Sequence, residues 1–213
     1  MKRGVGFALI VGTTIWGGCA SGPARCSTAS SANFYRAAAR LPSQVHRVAM
    51  LPVTDGDADL TTDEGRDVLE PVWYAELRKR AVADVVVVTR DELWNLTGKR
   101  EWTTAEALPE DFFERLHAAT GCDAVVFCQL TCFRAYPPLG VGWKMQLVDV
   151  QKRTLWAADD VFDAGNPSVA AAARSYCARH FRGALDDSNT ILMSPLQFGQ
   201  YTAASVLETL PPR

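Results

Sequence analysis

The sequence predicts one α/β domain, a mixed sheet covered by helices, in the order β-α-β-α-α-β-β-β-α-α. Three observations carry this. Short, continuously apolar runs such as Asp84-Val-Val-Val-Val-Thr89 have the length and β-branched content of buried strands. Between such runs, Ser, Thr or Asn recurs just ahead of Pro, or three residues before Glu or Gln, as helix starts require. The 213 residues suffice for one well-buried domain and a tail, but not for two ordinary domains.

Taken in order, residues 34–41 could form a short helix that Pro42 ends. His46-Arg-Val-Ala-Met-Leu-Pro-Val53 reads as the first strand, with Pro52 near its end. Residues 54–62 read as a polar loop, and Thr61-Thr-Asp-Glu64 as a capping box with Thr61 at the N-cap. The helix that follows places Val68, Leu69, Val72, Trp73 and Leu77 on one stripe and turns Glu70, Arg78 and Lys79 away. After the strand at 84–89, residues 90–97 make a short helix beginning at Asp91-Glu92. Thr103 and Glu106 offer another capping box, and 109–120 a helix ending at Gly121. Strands at 123–133, 141–150 and 154–163 come next, the last two joined by a tight hairpin at 151–153. Asn166-Pro167 starts a helix running to about 185, and Ser194-Pro195-Leu196-Gln197 starts the last one. Its stripe is Leu196, Gly199, Ala203, Val206, Leu207 and Leu210, with Phe198 and Tyr201 beside it. That face can dock on the domain or on a second copy.

Apolar residues make up 48% and charged residues 22%, which excludes a disordered or collagen-like chain. The net charge of −2 and the lack of long basic runs remove the footprint of a nucleic-acid binder. His46, His117 and His180 are the only histidines, too few and too scattered for a His-rich metal site.

The first residues read as an export signal. Lys2 and Arg3 precede an uncharged, mostly apolar stretch at 5–15 that Gly12-Thr-Thr interrupts and that is too short to span a bilayer. Gly17-Gly18-Cys19 then resembles a bacterial lipobox, although Trp16 stands where an aliphatic residue is usual. The resemblance implies cleavage before Cys19 and its acylation, with palmitate among the chains, and multiple acyl chains tether a protein firmly. Ala20 in place of Asp implies the outer membrane. Residues 1–18 are therefore expected to be a lipoprotein signal peptide, 19–44 a flexible tether rich in small and polar residues, and 45–213 the α/β domain with its C-terminal helix. Without the signal, 20 basic and 24 acidic residues remain.

If Cys19 is acylated, Cys26, Cys122, Cys128, Cys132 and Cys177 are left, an odd number that cannot all pair internally. Cys128 and Cys132 share a strand face about 13 Å apart, beyond disulfide reach, and lack the second ligand pair zinc needs. They read as small buried hydrophobes. A Cys122–Cys177 bond is left open.

With tether and element order established, the chain resembles a family of bacterial envelope lipoproteins. It includes the curli-secretion lipoprotein CsgG, the lipoprotein activators of penicillin-binding proteins, and the N-terminal domain of TolB. The carrying residues are Arg47-Val-Ala-Met-Leu-Pro-Val-Thr-Asp55, Thr120-Gly-Cys-Asp-Ala-Val-Val-Phe-Cys-Gln-Leu130 and Met145-Gln-Leu-Val-Asp-Val-Gln-Lys-Arg-Thr-Leu-Trp156, spread over residues 45–185. The resemblance implies binding to other envelope proteins, or ring assembly, rather than catalysis.

Asp55, Asp57 and Asp59 alternate like the start of an EF-hand loop, but Leu60 and Arg66 stand where Gly and Glu are required. They read as a solvated loop favouring the helix after it. Asp159, Asp160, Asp163 and Glu101 could be paired carboxylates, yet neighbours on a strand face opposite ways, and surface charge on an edge strand accounts for them better. No G-x-S-x-G, H-E-x-x-H or Walker A pattern occurs. The expectation is no enzyme, no cofactor and no metal site.

The loop Phe133-Arg-Ala-Tyr-Pro-Pro-Leu-Gly-Val-Gly-Trp143 joins two strands and concentrates hot-spot residue types beside a stiff Pro-Pro turn. Arg134, Tyr136, Leu139 and Trp143 are its candidate partner-binding residues. The expected function is a non-enzymatic, lipid-anchored periplasmic protein at the outer membrane, acting by protein–protein binding in envelope assembly or regulation. The alternatives are an oligomeric part of a secretion or appendage apparatus, and a small-ligand-binding protein or hydrolase with a hidden site.

Overall fold

A computed structural model describes residues 31–55, 60–181 and 188–213. The expected signal peptide, Cys19, Cys26, Asp57 and Asp59 lie outside the described residues.

The strands are β1 (Phe34–Arg36), β2 (Arg47–Met50), β3 (Thr54–Asp55), β4 (Asp84–Val87), β5 (Ala124–Arg134), β6 (Gly140–Asp149) and β7 (Thr154–Asp163). They form one open, mixed sheet in the order β1-β7-β6-β5-β2-β4, with β3 paired to β5. β2 runs parallel to both β4 and β5, whereas β5-β6-β7-β1 is antiparallel throughout. The helices are α1 (Leu60–Lys79), α2 (Arg90–Thr97), α3 (Phe112–Thr120), α4 (Pro167–His180) and α5 (Pro195–Leu207), with a 3-10 turn at Ser188–Leu192. The expected class, a single domain with a mixed sheet covered by helices, is the one observed.

Two expected caps form as read. Asn166 accepts from the Ser168 N–H, and Ser194 from that of Gln197. Gly121 ends α3 at φ +67°, where its N–H reaches the His117 carbonyl and a side chain would be strained.

Several boundaries differ from expectation. Residues 34–36 are a strand, not the start of a helix, because β7 offers an open edge to which they pair antiparallel. β7 is thus not an edge strand. Thr61 lies inside the first turn of α1 rather than at its N-cap. At Thr103–Glu106 only half of the box forms: the Glu106 carboxylate accepts from the Thr103 N–H at 3.3 Å and from its hydroxyl at 3.2 Å, the segment closes a turn, and α3 starts only at Phe112. α4 stops at His180. Glu70, expected to face water, is buried, while Val68, expected in the apolar stripe, is 42% exposed.

Two cores sit on opposite faces of the sheet. The larger packs α1, α4 and α5 on Val126, Leu130, Trp143, Met145, Leu147, Trp156 and Phe162. The smaller packs Leu93 of α2 and Phe112, Phe113 and Leu116 of α3 on Ala49, Val125 and Phe127. Each large side chain buried this fully contributes about 1.5–3 kcal/mol. α1 approaches its neighbours closely through two small residues. A Cβ at Gly65 would strike the Phe133 ring, and one at Gly199 of α5 would strike Leu69 of α1.

α5 docks on the domain itself, with Phe198 at 0% and Tyr201 at 3% exposure. Two buried indoles fasten it. Trp143 Nε1–H donates to Thr202 Oγ1, and Trp156 Nε1–H to Thr209 Oγ1, both at 2.9 Å. Each threonine hydroxyl in turn donates to the carbonyl three residues back, so all these polar groups are satisfied inside the core.

The cysteines also depart from expectation. A bulge between Leu130 and Cys132 shifts the register of β5, so Cys128 and Cys132 no longer share a face. Cys122 belongs to the smaller core and Cys177 to the larger, on opposite sides of the sheet, and both are free thiols. Burial pushes the Cys122 and Cys128 thiols upward, away from reactivity.

Candidate functional site

The β5–β6 loop is pinned at its base. Arg134 leaves the end of β5 and pairs with Asp163 at the end of β7, Nη2 to Oδ1 at 2.8 Å, and its Nε–H donates to the Pro138 carbonyl. The Gly165 N–H donates to the same Asp163 oxygen at 2.7 Å. That backbone bond, with Arg134 second, holds the Asp163 carboxyl below its usual range. Ala164 N–H closes the base by donating to the Leu139 carbonyl at 2.8 Å.

From this base Tyr136 projects into solvent at 82% exposure. Of the four candidate binding residues, Arg134 and Tyr136 are therefore at the surface. Leu139 and Trp143 are not, since both are fully buried. The alternation of β6 sends Val141, Trp143, Met145 and Leu147 toward the helices, where Trp143 packs 6.1 Å from Trp73, centroid to centroid.

The carboxylates considered as a pair do not converge. Asp163 serves Arg134, and Asp160 accepts from the Ala32 and Val161 N–H groups at 3.0 and 2.9 Å. Glu101 lies elsewhere, 2.9 Å from Arg90 and 3.7 Å from Arg66.

Glu101 belongs to an ionic network at the carboxyl ends of the parallel strands. Arg90, at the start of α2, reaches Glu70 of α1 at 2.8 Å and the Val53 carbonyl at 3.1 Å. Arg66 reaches Asp55 at 2.6 Å and Asp63 at 3.2 Å. Burial pulls the Arg90 guanidinium down, but the hydrogen bonds it donates to Glu70 and Glu101 outweigh that and hold it charged. Burial raises Asp55 to about 6, aided by a hydrogen bond with Asp63 and opposed by Arg66. Tyr74 is raised for similar reasons, burial first and its bond to Glu70 second. Sequence reading missed Glu70 and Arg90, which lie 20 positions apart. The only available signal was an acid interrupting the apolar face of α1.

Among the described residues, concavities flank the sheet. A groove of about 200 Å³ has a polar floor of Gln129, Lys144 and Asp159, with Tyr35 and Trp102 among its walls. A second, of about 470 Å³, lies between β4 and the helices α2 and α3 and is lined by Val86, Val88, Leu96 and Arg47. Among the described residues no cluster of three His, Cys, Asp or Glu has metal-binding geometry, and no helix is long and apolar enough to cross a membrane.

No family model and no curated protein matches the chain. Solved structures with a similar course of the backbone do exist. The PelC dodecamer from Paraburkholderia phytofirmans shares 16% identity over 84% of this chain and 96% of its own, with a TM-score of 0.47. The lipoprotein GNA1162 from Neisseria meningitidis shares 20% identity over 65% of this chain and 98% of its own, with a TM-score of 0.41. The LpoB C-terminal domain from Salmonella enterica shares 14% over 58% of this chain and 87% of its own, with a TM-score of 0.38. These likenesses concern the fold alone.

Proposed function

We propose that the chain is a lipid-anchored periplasmic protein, tethered through Cys19 at the outer membrane, that acts without catalysis by binding other envelope proteins during envelope assembly or regulation. The observation that carries the binding role is Tyr136, an aromatic 82% exposed on a loop whose base is fixed by the Arg134–Asp163 pair. A stiff loop presenting an aromatic loses little conformational entropy on binding, and Tyr and Arg are hot-spot types. The Gly17-Gly18-Cys19 spacing supports the anchor.

The test is recovery of partners from crosslinked envelopes by the wild type and by Tyr136→Ala and Arg134→Ala. The partner should be lost with Tyr136→Ala, an affinity loss of about thirtyfold or more for a hot spot. Unchanged recovery with both variants overturns the loop as the binding surface. An N-terminal peptide that carries no acyl mass on Cys19 overturns the anchor. Closed rings of the purified mature chain in light scattering would shift the reading to an oligomeric part of a secretion or appendage apparatus.

A further inference from the structure

Residues 32–40, Ala-Asn-Phe-Tyr-Arg-Ala-Ala-Ala-Arg, are exposed at every position and contain no acid. Phe34 is 42% and Tyr35 54% exposed, and the Arg36 guanidinium sits 4.8 Å above the Phe34 ring. This ribbon includes β1, the outermost strand on its side of the sheet. Ala37 N–H donates to the Leu155 carbonyl and Asp159 N–H to that of Asn33, so the odd positions bond to β7. The backbone groups of Phe34 and Arg36 then point away from the sheet. Arg36 is held against the carbonyls of Thr209 and Glu208, and Arg40 against that of Arg213 at 3.1 Å, which fixes both charges along one edge. Asp159 and Asp160 are on β7 and Glu208 is at the end of α5 rather than on the ribbon, and Asp160 is engaged by two backbone N–H groups.

We propose that this ribbon lies on a bilayer bearing anionic phospholipid, so that the domain rests on the membrane by its β1 edge. The proposal rests on anchorage through Cys19 and adds an orientation to it. Eleven residues separate Cys19 from Ser31, so even a fully extended chain keeps the ribbon within about 40 Å of the acyl chains. Aromatic rings favour the headgroup region, and arginines are drawn to its negative charge. An acyl anchor combined with a basic, aromatic patch is the two-signal arrangement that holds peripheral proteins stably. A bilayer suits the site better than strand addition by a protein. β1 has only three residues, too few to hold a partner strand in register.

The experiment uses the mature chain, residues 19–213, with Cys19→Ala, so that no acyl chain contributes. Co-sedimentation is measured with vesicles of phosphatidylethanolamine and phosphatidylglycerol, and with phosphatidylcholine alone. Binding is expected only to the first, and Phe34→Ser with Tyr35→Ser should weaken it about tenfold. Arg40→Gln should weaken it about threefold to fivefold, and high salt should weaken it for every variant. Thermal melting confirms that each variant stays folded. Should the serine pair unfold, Arg40→Gln and the salt series carry the test alone. No preference for anionic vesicles, or equal binding by the variants, overturns the ribbon as a membrane surface. Loss of a protein partner by the serine pair without loss of vesicle binding overturns it in favour of a protein. These outcomes are independent of acylation, which the mass of the Cys19 peptide decides separately.

Discussion

The parallel half of the sheet, β4-β2-β5, carries helices on both faces, whereas β6 and β7 of the antiparallel half carry α4 and α5 on one face and leave Lys144, Asp159 and Val161 open to solvent on the other. The contrast is already written in the strands. β4 reads Asp-Val-Val-Val and β2 Arg-Val-Ala-Met, nearly continuous apolar runs that need cover above and below. β6 reads Trp-Lys-Met-Gln-Leu over 143–147, alternating as a half-buried strand must. Charge is handled differently as well. At the carboxyl ends of the parallel strands it is drawn inward and paired, around Arg90, Arg66, Glu70, Glu101 and Asp55. At the loop end of the antiparallel strands the Arg134–Asp163 pair stays at the surface, each side chain about half exposed.

The largest expected effect tests whether the two halves share one core. Trp143→Ala removes an indole that packs on Trp73 of α1 and fastens α5 through Thr202. It should cost about 3–5 kcal/mol in urea unfolding. A single transition, seen equally by far-UV and near-UV signals, is expected. Separate transitions for the two halves would break the picture of one cooperative unit.

A smaller effect sharpens the contrast in charge. Asp55 titrates near 6 in the fold and near 3.8 when unfolded. The folded state therefore holds this proton more tightly, and the group's contribution to stability is complete below pH 3.8 and lost as pH rises through 6. Asp55→Asn should be more stable than the wild type at pH 7.5, by no more than about 3 kcal/mol, and the gain should vanish near pH 4. A variant less stable at pH 7.5 would mean that the Arg66 pair outweighs burial, and that the network supports the fold rather than straining it.

The smallest effect is expected on the open face. Lys144→Ala with Val161→Thr should shift stability by no more than about 0.5 kcal/mol in the same urea experiment. A loss of several times that would show that something covers this face.

Much of the architecture was legible from residues alone. Periodicity separated strands from helices, and Asn166, Ser194 and Gly121 marked their ends because caps and left-handed turns are chemistry of a few adjacent residues. The candidate site was half legible. The Pro-Pro loop and its exposed Tyr136 could be read, but the same residue types also build cores, so Leu139 and Trp143 were indistinguishable from surface anchors.

By itself, then, the sequence determined the fold class, the three long strands and the helix ends at Asn166, Ser194 and Gly121, because each depends on local periodicity or adjacent chemistry. Only the tertiary structure decided that 34–36 is an edge strand, that Glu70 is buried against Arg90, and that a bulge turns Cys132 away from Cys128. These depend on which open edge, which counter-charge and which register lie nearby in space. Residues about 10 to about 125 positions apart along the chain set those terms, and no local pattern encodes them.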